Sequence, residues 1–286
     1  MRNATYAVLC AVAVFANDSQ KEQVLTARHM NSGGSLKVFN PAGSVKLVGW
    51  SHDSIEVRGE VTPHRRYYAA GDAKGWKVGI DDGPMNDPAP HGDLTIYVPK
   101  GTEVSVKTVS GKIEADDISG WFYTIAGDVR IAGSAKSIDV DAMRGDIDIG
   151  VSVPWLRVRA GEGHVTVHGV VTDADVSTIG GKVDITSGAI QRGQFASVAG
   201  DIHWNGAPAR GAILDFSNHT GAVEFVLPRS TVANFSLSTV SGTIANGFAP
   251  VRPVSQSERS MRVTFGKGGA DVSVRTFKGT IRMRPQ

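Results

Sequence analysis

The chain of 286 residues carries 30 Lys and Arg against 28 Asp and Glu, with 7% aromatic residues and 34 glycines. Its formal net charge of +2 comes without a basic run, which argues against nucleic acid as a partner. The sequence is too apolar and too evenly charged to be disordered. Its length fits one or two domains, and all-β bodies often form a single long domain.

The first 16 residues predict a signal peptide that is cleaved after Ala16. Arg2 supplies the positive charge, and residues 6–15 (YAVLCAVAVF) form an apolar stretch that is shorter than the roughly 20 residues a bilayer requires. We therefore expect an exported protein, located in the periplasm, at the cell surface or in the medium, with no integral membrane span after cleavage. The alternatives are a buried N-terminal strand and a lipoprotein acylated at Cys10. The second lacks the small residue that should precede the cysteine, because Leu9 stands there.

A glycine recurs at nearly constant spacing along the rest of the chain. From Gly111 to Gly242 the intervals are 16, 18, 18, 18, 19, 21 and 21 residues, a period typical of repeat architectures. The interval of 68 before Gly111 predicts another strand pair with an insertion, and the final interval of 37 predicts two coils. The ten aligned glycines are Gly43, Gly111, Gly127, Gly145, Gly163, Gly181, Gly200, Gly221, Gly242 and Gly279.

Two columns of apolar residues accompany these glycines. All ten residues two positions after the glycine are β-branched aliphatics, namely Val45, Ile113, Val129, Ile147, Val165, Val183, Ile202, Val223, Ile244 and Ile281. All ten residues five positions before it are apolar, namely Val38, Val106, Phe122, Val140, Val158, Val176, Phe195, Phe216, Leu237 and Val274. Alternation with polar residues on both sides of a turn indicates strands with one buried face.

The pattern predicts an all-β, single-domain β-solenoid over residues 35–286, built from about ten short coils of 16–21 residues. Stacking would place Ile147 between Val129 and Val165, because one repeat cannot bury its apolar face alone. Three positions before the glycine a Thr is frequent, small enough for a corner and able to bond the backbone. With strands about 4.8 Å apart, the stack would be roughly 45–50 Å long.

Three segments depart from the repeat. Residues 17–34 form the N-terminal segment of the mature chain, and residues 62–93 and 246–260 are expected to be irregular loops. The alternative architecture, a β-sandwich whose spacing is coincidental, would give irregular intervals and no constant apolar columns.

Three segments resemble the bacterial putative-adhesin β-strand repeat family, also called DUF4097, whose function is unknown. They are residues 97–113 (YVPKG followed by VSVKTVSGKI), residues 226–244 (VLPRS followed by FSLSTVSGTI) and residues 272–281 (VSVRTFKGTI). The likeness extends over about residues 35–286. It implies a β-helix-like fold at the cell envelope and supplies no catalytic residues.

Histidines do not form a recognised metal motif. His164 and His168 share one face of a strand, and His203 and Glu224 occupy the same outward column in neighbouring coils. This spacing matches no ligand motif, so surface positions are expected and no metal is predicted.

Stacked carboxylates are the one arrangement that favours an enzyme. Asp128, Asp146 and Asp148 would lie close together, and clustered acids can cleave glycosidic bonds. Arg130 and Arg144 are near enough to neutralise them, however, which is typical of a solvated face. We therefore predict no catalytic residues and no cofactor, with a carbohydrate-active β-helix enzyme as the alternative.

The insertion contains the candidate ligand-binding cluster, Arg65, Arg66, Tyr67, Tyr68 and Trp76. Aromatic rings beside arginines favour recognition of a glycan or a protein. The same rings could instead cover the open N-terminal end of the solenoid, where unpaired strand edges invite aggregation.

Taken together, the residues predict an exported, non-catalytic envelope or surface protein that acts as an adhesin-like binding or structural module. Its partner is unknown, with an envelope glycan or a protein as candidates. A self-assembling scaffold is the further alternative, because residues 274–286 have a strand pattern that would allow end-to-end pairing.

Overall fold

The computed structural model describes residues 21–62, 66–81, 91–187, 190–248, 255–267 and 269–286; the predicted signal peptide lies outside them. Regular structure in these ranges consists of strands alone, and none of it is a helix able to cross a membrane. The strands are β1 Glu22–His29, β2 Ser35–Trp50, β3 Ser54–Val61, β4 Tyr67–Asp72, β5 Gly75–Ile80, β6 Gly92–Pro99, β7 Glu103–Asp116, β8 Ser119–Ala126, β9 Val129–Ser134, β10 Ser137–Arg144, β11 Ile147–Glu162, β12 Val165–Thr178, β13 Val183–Thr186, β14 Arg192–Ser197, β15 Ile202–Asn205, β16 Ile213–Asn218, β17 Val223–Leu227, β18 Ala233–Thr239, β19 Ile244–Asn246, β20 Ser255–Gln256, β21 Ser260–Phe265, β22 Ala270–Thr276 and β23 Ile281–Pro285.

Each coil contributes a strand segment before its glycine and one after it. In β2 and β7 the strand is continuous through the glycine. Successive coils pair in parallel on both walls. Ile147 lies opposite Val129 on one side and opposite Val165 on the other. The predicted register and the all-β solenoid are therefore confirmed.

The two apolar columns face each other across the interior. Every residue of both columns is buried except Ile244, which is partly buried and packs on the same core. Aromatic rings fill the later coils, where Phe195 and Phe216 stack with their centroids 4.8 Å apart. Because each buried aliphatic or aromatic side chain contributes about 1.5–3 kcal/mol, these columns are the main source of stability.

The aligned glycines form a third column, and they are needed for close backbone approach. A Cβ added at Gly111 would lie 2.6 Å from the carbonyl oxygen of Gly43, and one at Gly200 would overlap the carbonyl oxygen of Gly181. Gly145 also has φ +121°, a conformation that other residues rarely adopt. The coils can stack at strand spacing only because these positions have no side chain.

Small polar residues close the corner three positions before the glycine, as predicted. The Asn218 Nδ2 donates to the carbonyl oxygen of Gly200 at 2.8 Å, and the Gly221 amide donates to Asn218 Oδ1 at 2.9 Å. In a neighbouring coil the Gly200 amide donates to Ser197 Oγ at 2.8 Å. These bonds pair backbone groups that the tight turn would otherwise leave unsatisfied.

The spatial order of the coils differs from chain order at both ends. Strand β2 lies between β5 and β6 on one side and β7 on the other. Strands β22 and β23 lie between β16 and β17 on one side and β18 and β19 on the other. Long insertions let the chain reach back and fill these places.

Two expectations are corrected by this order. The interval of 37 residues before Gly279 holds no second full coil in its described part, because β21 pairs only with β18 and β20, in both cases antiparallel. End-to-end pairing through residues 274–286 is also wrong, because β22 and β23 already have a neighbour on each side.

Antiparallel strands cover both walls at the N-terminal end of the parallel stack and the β18 wall at its C-terminal end. At the N-terminal end β4 pairs with β5, while β3 pairs with β6 and β1 pairs with β3. The segments 62–93 and 246–260, expected to be irregular, therefore contain the β4–β5 hairpin and strand β20 in their described parts. The hairpin turns at Asp72, whose Oδ1 accepts the Lys74 amide at 2.8 Å; sequence analysis overlooked this turn because it lacks the repeat's columns.

Asp93 links β6 to its neighbours at the N-terminal end. Its carboxylate oxygens accept hydrogen bonds from Lys21 Nζ and Ser44 Oγ, each at 2.8 Å, and lie 3.2 Å from His91 Nε2. Partial burial raises the pKa of the Asp93 carboxyl, but the bonds from Lys21, Ser44 and His91 outweigh burial and lower the pKa to about 2.

We predict that Gly200→Ala destabilises the fold by about 1–3 kcal/mol, because the new methyl group overlaps the backbone of the neighbouring coil. Its φ lies outside the left-handed region, so the cost is steric. Gly180→Ala is the matched control, since its Cβ would meet only one atom, at 4.0 Å. Urea unfolding of both variants tests this, and equal stabilities would contradict the stacked-glycine interpretation.

We predict that Asp93 stabilises the fold fully above about pH 4 and loses this contribution as the pH falls toward 2, because its folded pKa lies below the unfolded value of about 3.9. Asp93→Asn should lower stability at pH 7 and flatten the loss in that window. Urea unfolding at a series of pH values measures both effects. Parallel pH profiles for the variant and the wild type would show that Asp93 makes no such contribution.

Candidate binding groove

Exposed apolar residues are concentrated on one line along the stack. Eleven large hydrophobic side chains among the described residues are exposed. Six of them occupy the position two residues before an aligned glycine: Val109, Met143, Ile179, Val198, Val240 and Phe277. Because single exposed apolar residues are normal but contiguous ones mark interaction sites, this apolar stripe is the candidate functional surface.

An open groove of about 780 Å³ follows the stripe except at Val109. Five stripe residues form one bank together with Gly161 and His219, from Met143 to Val240. The small residues that close the corner form the floor, and the residues four positions before the glycine form the other bank. That second bank consists of Asp141, Arg159, Ser177, Ala196, Ser217 and Arg275. The groove crosses seven coils, which corresponds to a length of about 29 Å.

Charge is confined to the two ends of the groove. Arg159 pairs with Asp141 at one end, with 3.2 Å between Nη1 and Oδ1, and Arg275 pairs with Asp215 at the other, with 2.6 Å between Nη2 and Oδ2. The bank between them holds only Ser177, Ala196 and Ser217. The centre is therefore neutral and can accept an apolar ligand without burying an ion pair.

An aromatic face stands at the C-terminal end of the groove. The rings of His219 and Phe277 stack with centroids 4.8 Å apart and an interplanar angle of 2°. Both rings line the groove. They give this end a flat surface beside the charged Arg275.

Three residues of the candidate cluster, Tyr67, Tyr68 and Trp76, lie in the β4–β5 hairpin. Arg65 is outside the described residues, Arg66 is exposed, and Tyr67 and Tyr68 are half-buried. Trp76 is only 8% exposed and belongs to the core. This placement favours the interpretation that the rings cover the N-terminal end, and a ligand-binding role for the cluster stays a prediction.

Tyr67 contacts strand β1 from the β4–β5 hairpin. Its hydroxyl lies 3.1 Å from Thr26 Oγ1, and burial raises the pKa of the Tyr67 phenol. The ring therefore joins β4 to β1 at the covered end of the stack.

The stacked carboxylates accept hydrogen bonds from backbone amides of the neighbouring coils. Asp128 Oδ1 accepts the Asp146 amide at 3.0 Å, and Asp146 Oδ1 accepts the His164 amide at 2.8 Å. His164 Nδ1 then accepts the Lys182 amide at 3.2 Å. The arrangement is a ladder of side chains that joins coil to coil outside the turn.

Asp148 is also engaged by its neighbours. Its Oδ1 lies 2.9 Å from His168 Nε2, and its Oδ2 lies 3.8 Å from Arg130 Nε. The structure therefore brings the three predicted aspartates to one face, as expected, but gives each of them a partner there.

His203 and Glu224 do lie opposite each other in neighbouring coils, yet each has another partner. His203 Nδ1 lies 3.1 Å from Asp184 Oδ1, and Glu224 Oε1 lies 2.7 Å from Arg284 Nε. Within the described ranges no three His, Cys, Asp or Glu residues are placed to hold a metal ion.

The stripe was missed by sequence analysis although its signal is present. The buried columns fix which positions face inward, and the position two before the glycine is not among them. An apolar residue recurring at an outward position, as at Met143, Ile179 and Val198, is the signal that could have identified the groove.

A family model described as Toastrack DUF4097 matches residues 74–284. No curated protein matches the sequence. Solved structures similar in fold include a putative adhesin from Bacteroides fragilis, at 13% identity and a TM-score of 0.45, covering 92% of this chain and 97% of that chain. A putative lipid binding protein from Parabacteroides distasonis has 11% identity and a TM-score of 0.49, with 93% and 97% covered. A putative cell adhesion protein from Clostridium sporogenes has 9% identity and a TM-score of 0.29, with 92% and 100% covered.

We predict that the double variant Ile179→Ser, Val198→Ser binds an apolar fluorescent dye several-fold more weakly than the wild type, because it removes the central bank of the groove. Stability should change by no more than about 0.5 kcal/mol per exposed site. Leu25→Ser, Val170→Ser is the matched control, with residues that are as exposed and lie off the stripe. Dye titration and thermal melts measure both effects, and an equal loss in the control would refute the groove as the dye site.

Proposed function

This chain belongs to the Toastrack DUF4097 family, and we propose that it is an exported, non-catalytic binding module that contacts its ligand through the apolar groove. The observation that carries the proposal is the alignment of six exposed apolar residues along one line of the stack. Exposure of such a stripe lowers solubility, which argues that it is kept for contact.

The engagement of the aspartates supports a non-catalytic role. A glycosidase needs two carboxyl groups that face the scissile bond, one as acid and one as base or nucleophile. Asp128 and Asp146 instead accept backbone amides of the next coil. Asp148 lies between His168 and Arg130.

We predict that the chain is exported and that the mature protein begins at Asn17, because residues 6–15 form an apolar core that precedes a small-residue cleavage site. Expression of the full chain in a secreting bacterial host, followed by fractionation and N-terminal sequencing, tests this. Val12→Asp should block export by breaking the apolar stretch, whereas Asp18→Asn should not. An uncleaved chain that stays in the cytoplasm would refute export, and acylation at Cys10 would replace the cleavage model.

Binding itself is tested by a screen of the exported protein against envelope glycans, peptidoglycan fragments and phospholipid vesicles, with product analysis of every hit. We expect binding without products, and loss of that binding in Ile179→Ser, Val198→Ser but not in Leu25→Ser, Val170→Ser. Cleaved products would overturn the non-catalytic role. Binding that is equal in both double variants would overturn the groove as the contact surface.

A further inference from the structure

We infer that the groove holds the single acyl chain of an anionic lipid, lying along the stack with its headgroup at the end marked by Arg275. The inference rests on the proposed function, because it names the ligand class of that same groove. Shape, backbone chemistry and charge each support it.

The shape of the groove suits one hydrocarbon chain. The hydrocarbon of one membrane leaflet is about 15 Å thick, which is half of the bilayer core. The groove, at about 29 Å, is therefore long enough for a whole acyl chain with its headgroup at one end. Its course is linear, and its centre between Ser177 and Ile179, and between Ala196 and Val198, has no charged side chain. An extended acyl chain therefore fits lengthwise with only apolar and small neutral neighbours.

The backbone around the groove disfavours a peptide. The amides of Ile179, Val198 and His219 donate to the carbonyl oxygens of Ala160, Thr178 and Ser197 in the preceding coil, each at 3.1 Å. A strand laid along the groove would thus find these donors already used, so it could not gain the main-chain hydrogen bonds that give strand addition its affinity. An acyl chain needs no such bonds.

The groove is also too narrow for a stable contact with a second copy of this chain. Its width spans two residues of a strand, so its area is about 200 Å², whereas stable interfaces bury about 800 Å² on each partner.

Positive charge collects at the C-terminal end of the groove. Lys278 follows Phe277 directly. Arg259 also lies near this end, because its carbonyl oxygen accepts the amide of Thr239, the residue before Val240, at 2.9 Å. Arg159 and Arg275 each have an aspartate as counter-ion, so the charge that favours an anionic headgroup at the Arg275 end is that of exposed Lys278, next to Phe277.

The test is calorimetric titration of the exported full chain with decanoate, laurate and myristate, each below its micelle concentration. We expect one site per chain and an affinity that rises about two- to four-fold for each added methylene, because each one removes further apolar surface from water. Tetradecyltrimethylammonium, with the same chain as myristate and a cationic head, should bind at least about five-fold more weakly. That difference should shrink with added salt.

Two sets of variants locate the site. Ile179→Asp, Val198→Asp should weaken myristate at least about ten-fold by placing charges on the apolar bank, while Leu25→Asp, Val170→Asp should not. Lys278→Gln should reduce the preference for myristate over the cationic analogue without changing the gain per methylene. Lys182→Gln, on the opposite side of the turn, is its control.

The outcomes separate the inference from the proposed function. No myristate binding, or equal binding by Ile179→Asp, Val198→Asp, overturns the acyl site. If a glycan or protein then still binds in a manner that requires Ile179 and Val198, the proposed function stands without this ligand class. Equal affinity for myristate and tetradecyltrimethylammonium would overturn the anionic headgroup, and loss of all groove-dependent binding would overturn both proposals.

Discussion

The spacing of the coils depends on backbone contact along the glycine column. Where the chain turns, the Cβ of any other residue would meet the carbonyl oxygen of the coil next to it, as at Gly111 and Gly200. Because glycine has no side chain, neighbouring coils can approach to strand spacing in both walls. The two apolar columns then fill the interior between the walls. The corner residues and the aspartate ladder hold the same junction from either side, through bonds to the backbone.

The groove is a consequence of the same junction. The corner of each coil holds a small residue such as Ser197 or Asn218. The outward-facing residues on either side of it project further, so the corner forms the shallow floor of a groove. Since every coil turns at the same place, these floors join into one channel along the stack. Apolar residues on one bank then decide what the channel can hold. Under the proposed function, the contact surface is long and nearly uniform, and its specificity would reside in the groups at its ends.

The repeat itself could be predicted from sequence, because a buried column requires the same residue type in every coil. Register followed directly, so that Ile147 was expected between Val129 and Val165 and is found there. The order of the end coils could not be predicted in this way, because Val45 and Ile281 satisfy the column equally well in any coil. The hairpin at Asp72 and the antiparallel β21 were overlooked because they lie outside the columns. The groove was overlooked because attention to buried positions passes over apolar residues at exposed ones.

The interleaving of the end coils has a consequence for the order in which the protein can fold. Strands β16 and β17 are joined to β18 and β19 only through β22 and β23. Strands β18 and β19 therefore gain their parallel neighbours, and β16 and β17 their second ones, only after residues 270–285 have been synthesised. At the other end β2 likewise waits for residues 75–99. In a repeat protein, folding usually propagates from each coil to the next. Here it can proceed in chain order through the middle coils, but each end must wait for strands that come later in the chain. The C-terminal coils therefore complete their pairing only when nearly the whole chain is available.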